Sequence, residues 1–526
     1  MAELLHELIL ESACRTPAAA ALRHGDAELD YAALAQQVQQ AADGLLELGL
    51  QAQDRVAVWL DKRIETVAAL FGAALAGGVL VPVNPLLRAG QAAFILRDSG
   101  ARMLVTTPER FGALAPLLAG CPDLRVAVLC GAACAGQPGS TVMAWDDCMR
   151  GQGGRREPHR RIESDIAALL YTSGSCGQPK GVVLSHRNLV AGAHSVVRYL
   201  GNSSADRLLA ALPLSFDYGF SQLTTAFSCG ASVVLMNHLL LRDIVDTVAQ
   251  ERITGLAATP PWWIQLAGLR WDDAASLRYL TSSGGTMPRA TIDALRVALP
   301  HARIYLMYGL TEAFRSTWLA PEQLGVRPGS IGKAVPNAQV LVLRPDGSAC
   351  AAEEPGELVH CGPLVSLGYW NDPAATAERF RPLPAGDGRP VAQTALWSGD
   401  TVRMDDEGFL YFIGRSDDMI KTGGYRVSPT EVEEVIGATG LVEEAAAIGV
   451  PHPVLGQAIV VLATAVDGAE LDAGALFAAC RASLPAYMLP AMVDVRARPL
   501  PRNANGKVDR RLLAAELAHL FAEMAS

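Results

Sequence analysis

The chain has 526 residues, more than one hydrophobic core usually organises, so at least two domains are expected. Half of the residues are hydrophobic, 19% are charged and the formal net charge is -10, which excludes a disordered chain and argues against a nucleic-acid binder. The 10 cysteines never form a C-x-x-C pair, so neither a zinc site nor a disulfide framework is suggested, and reduced buried thiols are expected.

The first residues, MAELLHELILESACRTP, mix acids into an apolar run without a basic leader, unlike a secretory signal. A helix is predicted from Tyr31, where Leu34, Val38, Ala41 and Leu45 recur at helical spacing and Gly49 marks a stop. There follow a strand at Arg55 to Leu60, an apolar helix around Ile64 to Ala76, a strand at Val79 to Val83, a helix from Ala89 and a strand at Met103 to Val105. The apolar run Val67 to Val83 is broken by Gly72, Gly77, Gly78 and Pro82, which suits a buried helix and strand rather than a membrane span. A cytoplasmic protein is the expectation. The alternation predicts an α/β N-terminal domain of β-sheets flanked by helices.

The stretch Gly131 to Arg161 is rich in glycine, charge and proline and reads as an exposed connection, as does Pro384 to Pro390. A strand follows at Ile166 to Tyr171. From Gly414 the texture changes to a helix from Pro429, strands near Ala445 to Val450 and Ala458 to Ala463, and a final helix from Arg511, the pattern of a small α+β domain. The boundary is placed near Asp417, giving residues 1–416 and 417–526.

Between the strand ending at Tyr171 and the next one, Val182 to Leu184, lies YTSGSCGQPKG. Its glycines let backbone N–H groups turn toward an anion, the hydroxyls of Thr172, Ser173 and Ser175 donate to the anion's oxygens, and Lys180 supplies charge. A triphosphate tail suits such a loop; taken alone, it is equally a flexible hairpin. Downstream stand YLMYGLTE at Tyr305 to Glu312, Ser398 to Asp400, GRSDDMIKTGGYRV at Gly414 to Val427, and NGKVDR at Asn505 to Arg510.

These five segments, in this order and at these distances, resemble the adenylate-forming superfamily of acyl-CoA synthetases, carrier-protein-loading adenylation domains and luciferases. The resemblance covers nearly the whole chain and implies an acyl-CoA-synthetase-like fold with a mobile C-terminal domain. It also implies an AMP-forming acid–thiol ligase that adenylates a carboxylate with ATP and Mg²⁺, releases pyrophosphate and passes the acyl group to a phosphopantetheine thiol of CoA or a carrier protein. It places Thr172, Ser173 and Lys180 on the β- and γ-phosphates, with Gly174 and Ser175 in the same nucleotide-binding loop, Tyr308 on adenine, and Thr311 on the α-phosphate. Gly284 and Gly309 join this nucleotide-binding set. Glu312 would bind Mg²⁺, since a hard cation wants oxygen ligands. Asp400 and Arg415 would hold the ribose, Asp417 would be the hinge between half-reactions, and Gly423 and Gly424 would line the pantetheine path. Lys507 would contact the substrate carboxylate and α-phosphate, lowering the barrier to bringing two anions together. Lys507, Glu312, Thr311 and Lys180 form the expected catalytic set. Cys176 replaces a usual threonine and Leu306 a frequent amide; both departures bear on ATP affinity.

In amino-acid-activating members, an aspartate after an aromatic residue in a segment like SFDYGFSQ pairs with the substrate amine, and Asp217 after Phe216 fits that place. The remaining pocket is expected from Tyr218, Ser221, Trp262, Thr281, Ser283, Met307, Arg315 and Ser316. Arg315 would suit a second carboxylate. The run YGLTEAFRST is similar to stand-alone ligases that load β-amino or aspartate-like acids on acyl carrier proteins, and to ligases encoded beside exosortase systems. If Asp217 and Arg315 instead neutralise each other, the pocket is left for a neutral acid. The first expectation is an amino acid loaded on an acyl carrier protein; the alternative is a plain carboxylic acid joined to CoA. A non-catalytic binder is disfavoured by the intact lysines and acids, while a luciferase-like oxygenase shares the adenylation motifs.

Overall fold

The computed structural model describes residues 2–131, 141–150, 156–172, 178–237, 240–383, 392–415, 419–465, 471–502 and 508–522. The helix Tyr31–Glu47 starts where the Asp30 carboxylate accepts from the Ala33 N–H, and its buried stripe is the one expected, Leu34, Val38, Ala41 and Leu45. It packs on the helix Ile64–Ala76, whose residues 66–76 are all buried. Contact between the two is close because Gly72 has no side chain: a Cβ there would lie 2.7 Å from that of Ala41.

Among the described residues three sheets form. The first is eight-stranded; its centre is the parallel set Val79–Pro82, Arg55–Trp59, Met103–Thr106 and Val126–Leu129, and one side carries the antiparallel pair Ile166–Thr172 and Lys180–Ser185. The second is fourteen-stranded. Parallel strands that include Gly255–Ala258, Tyr279–Ser282 and Arg303–Leu310 run side by side, and antiparallel strands continue from Ala313–Leu319 through Leu410–Arg415 and Thr394–Met404. The third, five-stranded sheet and its two apolar clusters draw only on residues from Ile420 onward, with the helices Pro429–Gly437, Ala473–Ser483 and Arg510–Glu516. This is the α/β body with a small α+β unit that the alternation implied.

One expectation needs correcting. Within the stretch read as an exposed connection, the strand Thr141–Ala144 pairs in parallel with Val126–Leu129, and the helix Trp145–Arg150 buries Trp145 and Cys148. Cys148 lies against Gly44, where a Cβ would come within 2.5 Å of its Sγ. Two apolar anchors three residues apart suffice to seat one turn of helix, a signal masked by the glycines around it. No helix among the described residues is long and apolar enough to cross a membrane.

Candidate active site

The cavity of about 510 Å³ lies where the three sheets meet. Thr172 borders it from the first sheet, Ser283, Met307, Tyr308, Gly309 and Thr311 from the second, and Gly424, Tyr425 and Arg426 from the third. The loop expected to hold phosphate does join two antiparallel strands, with Thr172 opposite Lys180. Ser173, Gly174, Ser175 and Cys176 lie outside the described residues, as do Asp417 and Lys507. Lys180 Nζ is 3.2 Å from Asp372 Oδ2 and 5.3 Å from the centre of the Tyr369 ring. Asp372 also caps the helix Pro373–Arg379 through the Ala375 N–H, and that bond, with Lys180 nearby, holds its carboxyl below the usual range.

Thr311 and Glu312 form the two-residue turn of a hairpin between Arg303–Leu310 and Ala313–Leu319. Glu312 is therefore at a strand tip, not at a helix start. Its side chain is buried, Tyr369 Oη donates to Oε1 at 2.7 Å, and Oε2 has no hydrogen-bond partner among the described residues. Burial alone would raise its pKa, but Arg426 and the Tyr369 hydroxyl outweigh it, so the carboxyl stays below the usual range. An ionised, buried oxygen without a donor fits a hard divalent cation.

Tyr308 donates its hydroxyl to Asp400 Oδ2, and its ring lies nearly parallel to His360, 6.3 Å between centres. Asp400 is fully buried beneath this contact. Arg415 stands directly across from Asp400 on the neighbouring strand, with its side chain outside the described part. Burial lowers the pKa of His360 to about 4, so a neutral imidazole backs the Tyr308 ring.

On the acyl side, Phe216, Asp217, Tyr218, Ser283, Gly284, Leu306 and Met307 line the cavity. Asp217 opens the helix Asp217–Cys229; Tyr218 Oη bonds Thr281 Oγ1 at 2.6 Å, and Tyr199 Oη meets Met307 Sδ at 2.9 Å. Ser221, Trp262, Thr281, Arg315 and Ser316 stand behind that wall rather than in it. Arg315, expected to suit a second carboxylate or to neutralise Asp217, is 3% exposed; its Nη1 lies 3.6 Å from Asp217 Oδ2, and its guanidinium carbon is 4.9 Å from the Tyr218 ring centre. Asp217 keeps 19% of its side-chain surface open; burial raises its pKa and Arg315 partly offsets the rise.

The third sheet reaches the cavity through the turn at Gly423 and Gly424. Gly424 has φ +87, and a Cβ there would sit 2.6 Å from Thr259 Oγ1, so only glycine fits this approach. Tyr425 meets Phe216 edge-on at 5.1 Å and stacks on Tyr487 at 3.9 Å. Sequence reasoning singled out none of Thr259, His360, Tyr369, Asp372, Gln91, Glu431 and Tyr487, although His360, Tyr369 and Asp372 lie in PGELVHCGPLVSLGYWND, a weaker match to the same superfamily.

With this geometry in place, residues 9–370 match the model of the AMP-binding enzyme family, and residues 431–507 match that of the AMP-binding enzyme C-terminal domain. The chain belongs to the AMP-binding enzyme family. It is an adenylate-forming ligase of the AMP-forming, acid–thiol kind. Relatives of this AMP-binding enzyme include a feruloyl-CoA synthase of Amycolatopsis sp., 33% identical over 504 residues, covering 94% of this chain and 95% of that one. An L-proline--[L-prolyl-carrier protein] ligase of Pseudomonas fluorescens is 32% identical over 532 residues, covering 98% and 99%. Among solved structures, o-succinylbenzoate CoA synthetase from Bacillus subtilis, as a double mutant bound with its product analogue OSB-NCoA, superposes with a TM-score of 0.83 at 27% identity, covering 97% of this chain and 98% of that one. The same enzyme in complex with its acyl-adenylate intermediate gives 0.68 at the same identity, covering 96% and 97%.

Proposed function

We propose that this ligase activates a carboxylic acid with ATP and Mg²⁺ and passes the acyl group to the phosphopantetheine thiol of CoA, the acid being neutral where it faces Asp217. The observation that carries the choice of acid is the Asp217–Arg315 ion pair. With Arg315 already compensating Asp217 behind the wall, an incoming ammonium would leave a net positive charge in a buried setting, whereas an uncharged acyl chain leaves the pair intact. A second reading, an amino acid loaded on an acyl carrier protein, is favoured by one feature: Asp217 still opens on the cavity, and its 3.6 Å contact with Arg315 leaves oxygen lone pairs for an ammonium.

In this reading Glu312 Oε2 holds the cation, which supplies charge neutralisation as pyrophosphate leaves. Thr172, Ser173, Gly174, Ser175 and Lys180 take the β- and γ-phosphates, so Lys180 exchanges the Asp372 carboxylate for a phosphate. Tyr308 flanks adenine, with Gly284 and Gly309 beside it. The ribose takes Asp400 once Tyr308 releases it, together with Arg415. Thr311 and Lys507 meet the α-phosphate during adenylation. The C-terminal unit, from about residue 417 with Asp417 as hinge, then brings Gly424 to the site for thiol transfer. Supporting this, Gly424 is already seated on Thr259, and the better superposition is on the relative bound with its product analogue.

The test is substrate-dependent pyrophosphate release over a panel of plain and amino acids of matched size, followed by transfer to CoA or to a phosphopantetheinylated carrier protein. A plain acid should win on kcat/KM. A wide margin for an amino acid would replace this reading with the second.

A further inference from the structure

The helix Ala89–Ser99 of the large body touches the C-terminal unit through its first turn. Gln91 Nε2 donates to Glu431 Oε1 at 2.9 Å and lies 3.8 Å from Met488 Sδ, while Arg88 Nη2 donates to the Arg481 carbonyl at 3.2 Å. The Gln91 amide cannot turn round, because its own oxygen accepts the Arg88 N–H at 3.1 Å in a capping arrangement that opens the helix. The NH₂ group is therefore aimed at Glu431 by the fold. Glu431 lies in the first turn of the helix Pro429–Gly437, which follows the Gly423–Gly424 turn, and Gln91, Glu431, Tyr425 and Tyr487 border the same cavity.

We propose that Gln91 and Glu431 are positioning residues for thiol transfer, latching the C-terminal unit onto the large body in the orientation seen here. The link to thiol transfer rests on the function proposed above; the latch itself does not. The groups facing Glu431 are the Gln91 amide, Glu434 one turn along its own helix, and the phenol of Tyr487, which stacks on Tyr425. No cation is among these. Burial accordingly pushes the Glu431 carboxyl up to about 7 from an ordinary value of 4.5, with Gln91 partly offsetting and Glu434 adding to the rise. Swung away from the large body, the same carboxyl regains water and its ordinary value. Docking thus takes up a proton. Its full strength is present below about pH 4.5 and is lost as pH rises through about 7, where the seated carboxyl must ionise with no counter-ion among the described residues that face it.

The experiment is a pulsed-EPR distance measurement on the full chain without substrate, with spin-labelled unnatural amino acids at the exposed positions Val297 and Leu512, one on each unit. In the wild type the docked-to-undocked ratio should fall by up to about 10²-fold between pH 5 and pH 8. Glu431→Gln, which keeps an oxygen for Gln91 and removes the proton, should hold the docked distance at both pH values. Gln91→Leu should weaken docking at both. A wild-type distance distribution that does not respond to pH, or a Glu431→Gln protein that responds as the wild type does, overturns the latch. Because no substrate is present, a wrong acid or acceptor leaves this result standing, and failure of the latch leaves the ligase reading untouched.

Discussion

The two sides of the cavity treat charge in opposite ways. On the side proposed for the nucleotide, Glu312 is kept ionised with one oxygen lacking a hydrogen-bond donor among the described residues, and Lys180 rests on a partly exposed Asp372. Both are charges that a polyanion and its cation can claim. On the acyl side, Asp217 and Arg315 answer each other, and the guanidinium is sealed behind the Tyr218 and Phe314 rings. One side is built to receive charge and the other to have none left over, which suits the proposed reaction, transfer of AMP to the carboxylate of an acid with an uncharged acyl chain as pyrophosphate leaves.

The largest effect should come from breaking the closed side. Arg315→Met strands Asp217 in a buried wall and should cost about 3–5 kcal/mol of stability, read as a lowered thermal midpoint; Asp217→Leu added to it should return most of the loss. A single variant as stable as the wild type would mean that the pair does not carry the charge balance. On the open side, Glu312→Gln keeps the shape and the Tyr369 contact but removes the negative oxygen. Adenylation measured by pyrophosphate release should fall about 10²–10³-fold, with a raised Mg²⁺ requirement.

Two smaller changes sharpen the contrast. Gly424→Ala puts a side chain at φ +87 against Thr259, so thiol transfer should slow by about 10-fold, consistent with roughly 1–3 kcal/mol of backbone strain, with pyrophosphate release as the internal reference. Equal loss in both half-reactions would place Gly424 outside the thiol path. Tyr308→Phe removes only the hydroxyl held by Asp400; a change in KM for ATP within about 5-fold is expected, matching a net hydrogen bond of about 1 kcal/mol.

Where local periodicity sets structure, the sequence was readable. The Tyr31 stripe, the largely apolar Ile64–Ala76 segment and the punctuation by Gly49, Gly77 and Pro82 each put a boundary within a residue or two of its place. The hairpin that joins Tyr171 to Val182 was equally plain, because special residues crowd into a few positions there. What escaped were pairings made by the fold. For Arg315 the sequence left two partners open, a second carboxylate of the substrate or Asp217, because nothing in YGLTEAFRST reveals which element faces it. Gln91 and Glu431 are 340 residues apart and lie in unremarkable helix starts. The Trp145–Arg150 turn was lost inside a glycine-rich context whose composition outweighed two buried anchors.

The placement of the cavity between sheets has an evolutionary consequence. Met307, Ser283, Tyr218 and Phe216 are carried by the fourteen-stranded sheet and the helices packed on it, whereas the hairpin that ends in Thr172 and restarts at Lys180 hangs from the eight-stranded one. A mutation that re-carves this wall therefore need not move that hairpin, although it can reach Tyr308, which follows Met307 on the same strand, and through it Asp400. Under the proposed function, the wall that faces the acid can vary while the Thr172–Lys180 hairpin keeps its place, and the strand shared by Met307 and Tyr308 is where the two demands meet.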